Sequence, residues 1–131
     1  MTMEALTSIA RHRRGIPLPL PDGMKEPLGR DAVGMPQAYG DRVLARLPRV
    51  GCVFADGARW WWIVPAGSGL WLDWPEPVRY VADAVVTGAP APPRLIVRPA
   101  DDTPYTPPIP LYLTLCGLTD TVPSWMRDTV A

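Results

Sequence analysis

The stretch Arg49–Val64, which reads RVGCVFADGARWWWIV, decides the fold. It contains two β-prone runs, Arg49–Ala55 and Ala58–Val64, which are separated only by Asp56 and Gly57. Two residues of this type between such runs are the strongest short-range sign of a β-hairpin, because a type I′ turn needs positive φ at both central positions. The sequence therefore predicts an antiparallel hairpin over residues 49–64.

The same turn predicts how the two strands pair. Counting outward from a two-residue loop places Ala55 opposite Ala58 and Val53 opposite Trp60 on one side of the hairpin, with Trp61 on the other side. Opposed residues share a face because side chains alternate along a strand with a period of two. Both faces are mainly apolar, so we expect both to be covered, either by the rest of the fold or by a partner.

Further elements complete a small sheet. Leu70–Trp74 alternates like a third strand, Arg94–Arg98 reads as another strand, and Tyr39–Leu47 fits a short helix. Leu111–Leu118 carries leucines at helical spacing, which favours a helix, although alternating leucines at its start also permit a strand. We expect an α+β fold with a small antiparallel sheet built on the hairpin at 49–64, a C-terminal helix and an extended N-terminal arm.

Proline and charge divide the chain into two parts. The 131 residues match the size of one domain, but 18 are proline, nearly three times the usual share of about 5%. Residues 1–50 hold eight basic and five acidic side chains, whereas residues 51–131 hold five and eight. Prolines alternate with apolar residues after Ile16, which keeps the backbone extended. We expect residues 1–38 to be a basic, proline-rich, partly disordered arm and residues 39–131 to be a single α+β domain.

Composition also indicates a source and a compartment. Twelve arginines stand against one lysine, a bias typical of a high-GC bacterial genome. The first residues lack the apolar core of a signal peptide, and no apolar run approaches the ~18 residues that span a bilayer. We therefore expect a soluble, cytoplasmic protein without membrane contact. Cys52 and Cys116 are expected to be buried free thiols, since a disulfide scaffold carries more cysteines.

The chain offers few groups for catalysis. His12 is the only histidine, which leaves no close set of ligands for zinc and no base for a nucleophile. Phosphate-binding glycine motifs are missing. The carboxylate pairs Asp73/Glu76 and Asp101/Asp102 lie at chain breaks beside prolines, where acidic residues are common for backbone reasons. We therefore expect a non-enzymatic protein with no catalytic residues, no metal and no cofactor.

The tryptophans are the feature that most suggests a function. Five of the six lie between Trp60 and Trp74, and large aromatic side chains of this kind either form a core or anchor an interface. On the first interpretation they are the core of a domain with one phenylalanine. On the second, one face of the sheet is a docking surface, and the proline-rich segment 104–110 could dock on it within the same chain. The candidate binding residues are Trp60, Trp62, Arg59, Trp71, Trp74 and Tyr105.

Three runs carry a resemblance. They are Gly57–Pro65, which reads GARWWWIVP, Pro93–Pro99, which reads PRLIVRP, and Tyr105–Tyr112, which reads YTPPIPLY, and they resemble a group of short uncharacterised actinobacterial proteins over residues 48–125. More distantly, the order of elements resembles the short primase/polymerase-like proteins of the same bacteria. An active member of that family needs an acidic pair at alternating positions and a strand histidine, and neither follows residue 50. The resemblance therefore implies a non-catalytic remnant.

The leading hypothesis for function is a protein-interaction or regulatory module that uses a tryptophan-rich sheet face. Its partner would be another protein or a second copy of the chain. One alternative is a nucleic-acid-associated remnant of a primase-like domain, in which Arg11, Arg13 and Arg14 touch phosphate. Another is a small-molecule-binding domain with the tryptophan cluster as its pocket.

Overall fold

The computed structural model describes residues 15–70 and 72–127. Seven strands and three α-helices follow one another along this part of the chain. The strands are β1 (Ile16–Pro17), β2 (Asp31–Pro36), β3 (Val53–Ala55), β4 (Arg59–Val64), β5 (Arg79–Val81), β6 (Val85–Val86) and β7 (Arg94–Val97). The helices are α1 (Gln37–Arg46), α2 (Pro108–Leu118) and α3 (Ser124–Arg127), with 3₁₀ turns at Ser68–Leu70 and Ala82–Ala84.

Strand β4 lies at the centre of a five-stranded antiparallel sheet of order β5-β2-β4-β3-β7. It pairs with β2 from Asp31 opposite Val64 to Pro36 opposite Arg59. A central strand that is covered on both faces needs apolar residues at every position, and the run WWWIV supplies them. Strands β1 and β6 form a separate two-stranded antiparallel ribbon. The α+β class with antiparallel sheets and a C-terminal helix is confirmed.

The hairpin of β3 and β4 is present, but its expected register is wrong by two residues. Ala55 pairs with Trp60, not with Ala58, so the connecting loop has four residues, 56–59. The Asp56 carboxylate causes this, because Oδ1 accepts hydrogen bonds from the backbone N–H groups of Ala58 at 2.9 Å and Arg59 at 2.8 Å. Within the loop only Gly57 has a positive φ, whereas a type I′ turn needs two such residues. A shift of two leaves every side chain on its expected face.

One face of the sheet packs against the helices α1 and α2. Its residues are buried together with side chains from both helices, and the cluster comprises Val33, Met35, Val43, Val53, Trp62, Val64, Val78, Leu111 and Leu115. Helix α2 begins at Pro108, three residues before the expected Leu111, and its leucines at 111 and 115 point into this cluster as the helical spacing predicted. The helix is therefore confirmed at residues 111–118.

The opposite face is covered by the ribbon region and by residues of the expected N-terminal arm. Leu18 is fully buried there, with Val86 and Ala84 of the ribbon region, against Trp61 and Ile63 of β4. The rest of the fold thus covers both faces of the hairpin.

The expected arm at residues 1–38 is consequently wrong for the described residues 15–38. Strand β2 lies between β5 and β4, inside the sheet. Its glycine, Gly34, weakens the strand signal in the sequence, yet it is needed here: a Cβ at Gly34 would lie 2.5 Å from the Trp61 ring, which occupies that space. Residues 1–14 lie outside the described residues.

The expected third strand at Leu70–Trp74 does not form. Leu70 ends a 3₁₀ turn, residues 72–74 have no regular structure, and Trp71 lies outside the described residues. The place beside β4 that this strand would take is occupied by β2, which pairs with all six residues of β4. The strand expected at Arg94–Arg98 is confirmed as β7.

The proline-rich segment 104–110 docks within the chain, but on the open end of the hairpin and through backbone atoms. Cys52 N donates to Pro104 O at 2.9 Å, and Thr106 N donates to Ile63 O at 2.8 Å. Gly51 permits this approach, because a Cβ there would lie 2.0 Å from the Pro104 oxygen. The segment therefore hydrogen-bonds to both arms of the hairpin and connects them just ahead of α2.

A matched pair of substitutions tests the role of the Trp61 hydrogen bond. Trp61→Phe and Trp62→Phe remove the same atoms from two buried indoles, but Trp61 Nε1 donates to Asp56 Oδ2 at 2.8 Å, whereas Trp62 Nε1 has no partner among the described residues. We expect Trp61→Phe to lower the free energy of unfolding by about 1–3 kcal/mol more than Trp62→Phe does. Urea denaturation followed by circular dichroism measures both, and equal losses would contradict the account.

Candidate functional site

A groove of about 490 Å³ lies at the turn end of the hairpin, between α1 and β7. Trp60 and Ala55 of the hairpin line it, together with Leu44 of α1 and the apolar residues Ile96 and Val97 of β7. These residues come from four elements and are separated by as many as 53 positions in the chain. The groove is thus a product of the sheet order and not of any local motif.

Trp60 reaches the groove because it stands at the beginning of β4, on the same face as Trp62 but beyond the buried cluster. Its indole packs against α1 at Gly40, where a Cβ would lie 2.5 Å from the ring. Gly40 therefore lets the helix lie directly on the indole. The ring is half-buried, in contrast to the fully buried Trp62.

A β-bulge in β7 gives the groove two of its apolar side chains. Val53 pairs with Val97 and Phe54 pairs with Leu95, so Ile96 is an extra residue without an opposite partner. A bulge bends the strand and re-aims its side chains, and here both Ile96 and Val97 line the groove.

The charged side chains of the groove are both arginines. Arg59 is half-buried and donates from Nη1 to the Pro77 carbonyl at 3.0 Å, and Arg94 is exposed. None of the described residues that line the groove is acidic, and neither arginine forms a salt bridge within the described part of the chain. Burial lowers the pKa of the Arg59 guanidinium from its ordinary value, and the nearby Arg79 lowers it further, while Asp56 opposes both. The groove therefore has two guanidinium groups at its rim, neither of which forms a salt bridge with the described residues.

The structure brings together two of the six residues expected at the site. Arg59 and Trp60 both line the groove. Trp62 is fully buried beneath α1 and α2, because Val43, Leu111 and Leu115 cover it, so its expected place on an exposed face is wrong.

Two of the remaining three candidates, Trp74 and Tyr105, lie elsewhere. Trp74 stacks on Tyr80 with ring centroids 6.1 Å apart and meets the edge of Tyr112 at 5.3 Å, which attaches the loop before β5 to α2. The Tyr105 hydroxyl donates to Gly29 O at 2.5 Å and accepts from Leu28 N at 3.1 Å, so it fastens a loop. These contacts give Trp74 and Tyr105 structural partners away from the groove, and Trp71 lies outside the described residues.

Sequence reasoning missed Gln37, Leu44, Arg94, Ile96 and Val97, all of which line the groove. The strand signal of residues 94–98 was visible, but the bulge that directs two neighbouring side chains to one face has no sequence signature of its own. Helix α1 was also visible, but its place over Trp60 depends on the pairing of β2 with β4.

A second polar cluster surrounds the buried carboxylate of Asp31. Its Oδ2 accepts hydrogen bonds from Gly67 N at 2.8 Å and from the Tyr80 hydroxyl, and its Oδ1 accepts from Asp83 N at 2.9 Å. Asp83 and Ala84 both have positive φ, a conformation that is unfavourable for residues with a Cβ. The carboxylate thus holds a strained turn in place and has no open side for a ligand.

Two exposed aspartates form salt bridges, and both cysteines are buried. Asp101 forms a salt bridge with Arg49 at 3.0 Å and Asp102 forms one with Lys25 at 3.1 Å. Cys52 and Cys116 are buried and form no disulfide, as expected, and burial raises the pKa of Cys52 to about 11. Within the described ranges, no cluster of three or more His, Cys, Asp and Glu side chains could hold a metal ion. None of the helices described is both long and apolar enough to cross a membrane.

Comparisons with protein-family models, with curated proteins and with solved structures find no match. The resemblances to short actinobacterial and primase-like proteins therefore stay predictions. The three arginines expected to touch nucleic acid, Arg11, Arg13 and Arg14, lie outside the described residues.

The Asp31–Tyr80 pair predicts how stability depends on alkaline pH. Burial, and then the hydrogen bond to Asp31, raise the pKa of Tyr80 from 10.0 to about 12. A pKa that is raised in the folded state gives stability that is complete below the unfolded pKa and lost as the pH rises through the folded one. Tyr80 therefore contributes a fall in the free energy of unfolding between pH 10 and pH 12.

We expect Tyr80→Phe to be less stable than the natural chain near neutral pH, because Asp31 loses a donor, and to lose less stability above pH 10. Chemical denaturation at a series of pH values from about 8 to 12 measures this difference. Cys52→Ala is the control, since burial raises the pKa of Cys52 from 9.0 to about 11. Its removal should reduce the loss of stability between pH 9 and pH 11, a lower interval than that of Tyr80. Identical slopes for Tyr80→Phe and the natural chain would contradict the account.

Proposed function

We propose that this protein is a non-enzymatic interaction module and that the groove beside Trp60 binds an acidic, partly apolar segment of a partner protein. The observation that carries the proposal is the combination of an apolar floor with two arginines, Arg59 and Arg94, and no acidic side chain among the described lining residues. Tryptophan and arginine are the residue types most enriched at interface hot spots. Guanidinium groups bind carboxylates through paired, charge-assisted hydrogen bonds.

The composition of the groove supports binding over catalysis. Its described lining consists of Gln, Arg, Trp, Gly, Ala, Pro and aliphatic residues, none of which titrates near neutral pH or acts as a nucleophile. Such a surface can hold a ligand by burial and charge, but it has no group that could exchange a proton with one.

The edge of the sheet indicates how a partner would bind. Strand β7 is an edge strand, but it has only four residues, contains the bulge at Ile96, and is preceded by Pro93 and followed by Pro99 before the chain turns. Short, bulged, proline-flanked edges discourage the addition of another strand. The partner would therefore insert side chains into the groove, with a carboxylate near Arg94, and would not extend the sheet.

A small organic acid is the second candidate ligand. Pockets for small molecules typically enclose about 300–1,000 Å³, and the volume of the groove lies within this range. The same arginines would bind the carboxylate of this acid. A peptide segment and a small organic acid therefore differ only in how long a ligand must be to bind tightly.

Arg94→Gln tests the proposal, because Arg94 is exposed and its loss leaves the fold intact. The probe is a short fluorescent peptide that alternates glutamate with leucine and phenylalanine, and anisotropy measures its affinity. We expect Arg94→Gln to weaken binding by about tenfold or more, since a charge-assisted hydrogen bond contributes about 1.5–3 kcal/mol. Arg46→Gln removes an exposed arginine of α1 outside the groove and is expected to bind normally.

Three outcomes would contradict the proposal. The first is that the natural chain fails to bind the peptide, and the second is that a peptide with glutamine in place of glutamate binds equally well. The third is that a fluorescent single-stranded oligonucleotide binds more tightly, with steep salt dependence, and is unaffected by Arg94→Gln. That result would favour the nucleic-acid alternative. Binding of short dicarboxylic acids with the affinity of the peptide would favour the small-molecule candidate.

A further inference from the structure

Helix α2 is apolar on all sides. Its sequence PIPLYLTLCGL contains no charged residue. Leu111, Leu115 and Tyr112 are fully buried on its inner side, yet Ile109 and Leu113 on its outer side are 46% and 44% exposed. A helix at the surface of a globular protein normally carries polar and charged residues on its solvent side. The outer side of α2 therefore has the composition of a buried surface.

The short helix α3 extends this surface. The Tyr112 and Trp125 rings lie 5.5 Å apart, which places α3 beside α2. Five of the six large apolar side chains that the described residues expose belong to these helices and the loop between them, so exposure is concentrated here. We call this surface the α2–α3 patch, and its members are Ile109, Leu113, Val122, Trp125 and Met126. Concentrated apolar exposure of this kind marks an interaction site.

Gly117 supplies an independent observation at the same place. It follows Ile109 and Leu113 at a spacing of four residues each, so the three lie along one stripe of α2. A Cβ at Gly117 would meet no atom within 4 Å, and its φ is not positive. Neither internal packing nor backbone conformation thus requires glycine here, although alanine favours a helix more. A glycine of this kind permits the close approach of another backbone from outside.

We propose that the α2–α3 patch is the surface through which two copies of this chain associate. A symmetric contact places each residue against the same patch of the partner, so a patch with charge of one sign would repel itself. Helix α2 carries no charge, the loop after it and α3 add one residue of each sign, Asp120 and Arg127, and the whole chain has a formal net charge of zero, so both the patch and the molecule are compatible with self-contact.

The other candidate partners fit the patch less well. A charged partner finds no complementary charge on α2. Helices that lie on a membrane surface carry Lys and Arg along their polar side, and α2 has neither. The groove beside Trp60 cannot form a symmetric contact of this kind, because Arg59 and Arg94 would each face arginine. In the dimer, α2 crosses the same helix of the partner near Gly117, and Trp125 is the aromatic anchor at the side of the contact.

The first test is the mass of the full chain in solution by sedimentation velocity over a range of concentrations. We expect a concentration-dependent dimer, and Leu113→Glu should weaken the association by at least about tenfold, because it buries a charge against its own copy. Ala45→Glu is the matched control, since it adds the same charge at an exposed position of α1 and should leave the dimer intact. Circular dichroism confirms that each variant is folded.

A second test does not depend on weakening the contact. Cys52 and Cys116 are the only cysteines of the chain and both are buried, so Gly117→Cys introduces an accessible thiol. Under an added mild oxidant, which takes up the two electrons, the thiols of two copies should form a disulfide if their backbones meet near this position. We expect a covalent dimer for Gly117→Cys and none for Ala45→Cys.

The proposal is overturned if the natural chain is monomeric at every concentration, or if a dimer forms that Leu113→Glu does not affect. Binding of a monomeric chain to phosphatidylcholine vesicles, abolished by Leu113→Glu, would instead assign the patch to a lipid surface. Each of these results is independent of peptide binding at the groove.

Discussion

The buried carboxylate of Asp56 is the constraint on which the rest of the structure depends. It is 2% exposed and accepts hydrogen bonds from Ala58 N, Arg59 N and Trp61 Nε1. A carboxylate in this position is stable only if donors replace the water that it has lost, and two of its three donors are backbone groups of the loop. The loop conformation and the burial of Asp56 therefore require each other. Because the loop sets the register of β3 and β4, this one side chain decides which residues meet across the central strand.

The register has consequences on both faces of the sheet. On one face the Trp61 indole donates to Asp56, which directly follows β3, and fills the space above Gly34 of β2. This side chain therefore links β4 to both of its neighbouring strands. On the other face Trp62 is fully buried by the helices, while Trp60, two residues nearer the loop, packs against α1 at Gly40 and is half-buried at the groove. One tryptophan run thus supplies a core residue, a hydrogen-bonded anchor and a surface residue. The three neighbouring tryptophans thus differ in burial, and the position of each along the strand decides how far it is buried.

The two surfaces that we assign to binding differ in their chemistry. The groove has arginines on an apolar floor, which suits a ligand with negative charge, whereas helix α2 of the α2–α3 patch carries no charge, which suits contact with its own copy. They lie on different elements, the groove between α1 and β7 and the patch on α2 and α3. A dimer formed through the patch therefore leaves Arg94 and Trp60 available to a partner, and carries two such grooves.

Local features of the sequence predicted much of the fold. The hairpin, the strand at 94–97, the helix at 111–118 and the two buried cysteines each follow from a short pattern, because turn chemistry, periodicity and burial act on neighbouring residues. Strand β2 was missed because Gly34 weakens its pattern. Glycine is needed at this position because the Trp61 ring of β4 occupies the space that a Cβ would fill.

Long-range contacts account for the remaining differences. The register was missed because a side chain, not the backbone preference of Asp56 and Gly57, determines the loop. The groove depends on sheet order and on a bulge, so of its residues only Arg59 and Trp60, which adjoin the hairpin turn, were found in advance.

The register of the hairpin is the most direct test of this account. Asp56 N donates to Arg59 O, and Ile63 N donates to Cys52 O. Hydrogen-bonded and non-hydrogen-bonded pairs alternate along an antiparallel ladder, so Ala55–Trp60 and Val53–Trp62 are non-hydrogen-bonded pairs. The α-protons approach most closely in pairs of this kind. We predict strong nuclear Overhauser effects between the α-protons of these two pairs in the natural chain. Strong effects between the α-protons of Phe54 and Arg59 and of Cys52 and Trp61 instead would show the two-residue turn, because these are its non-hydrogen-bonded pairs. That result would contradict both the role of Asp56 and the place of Trp60 at the groove.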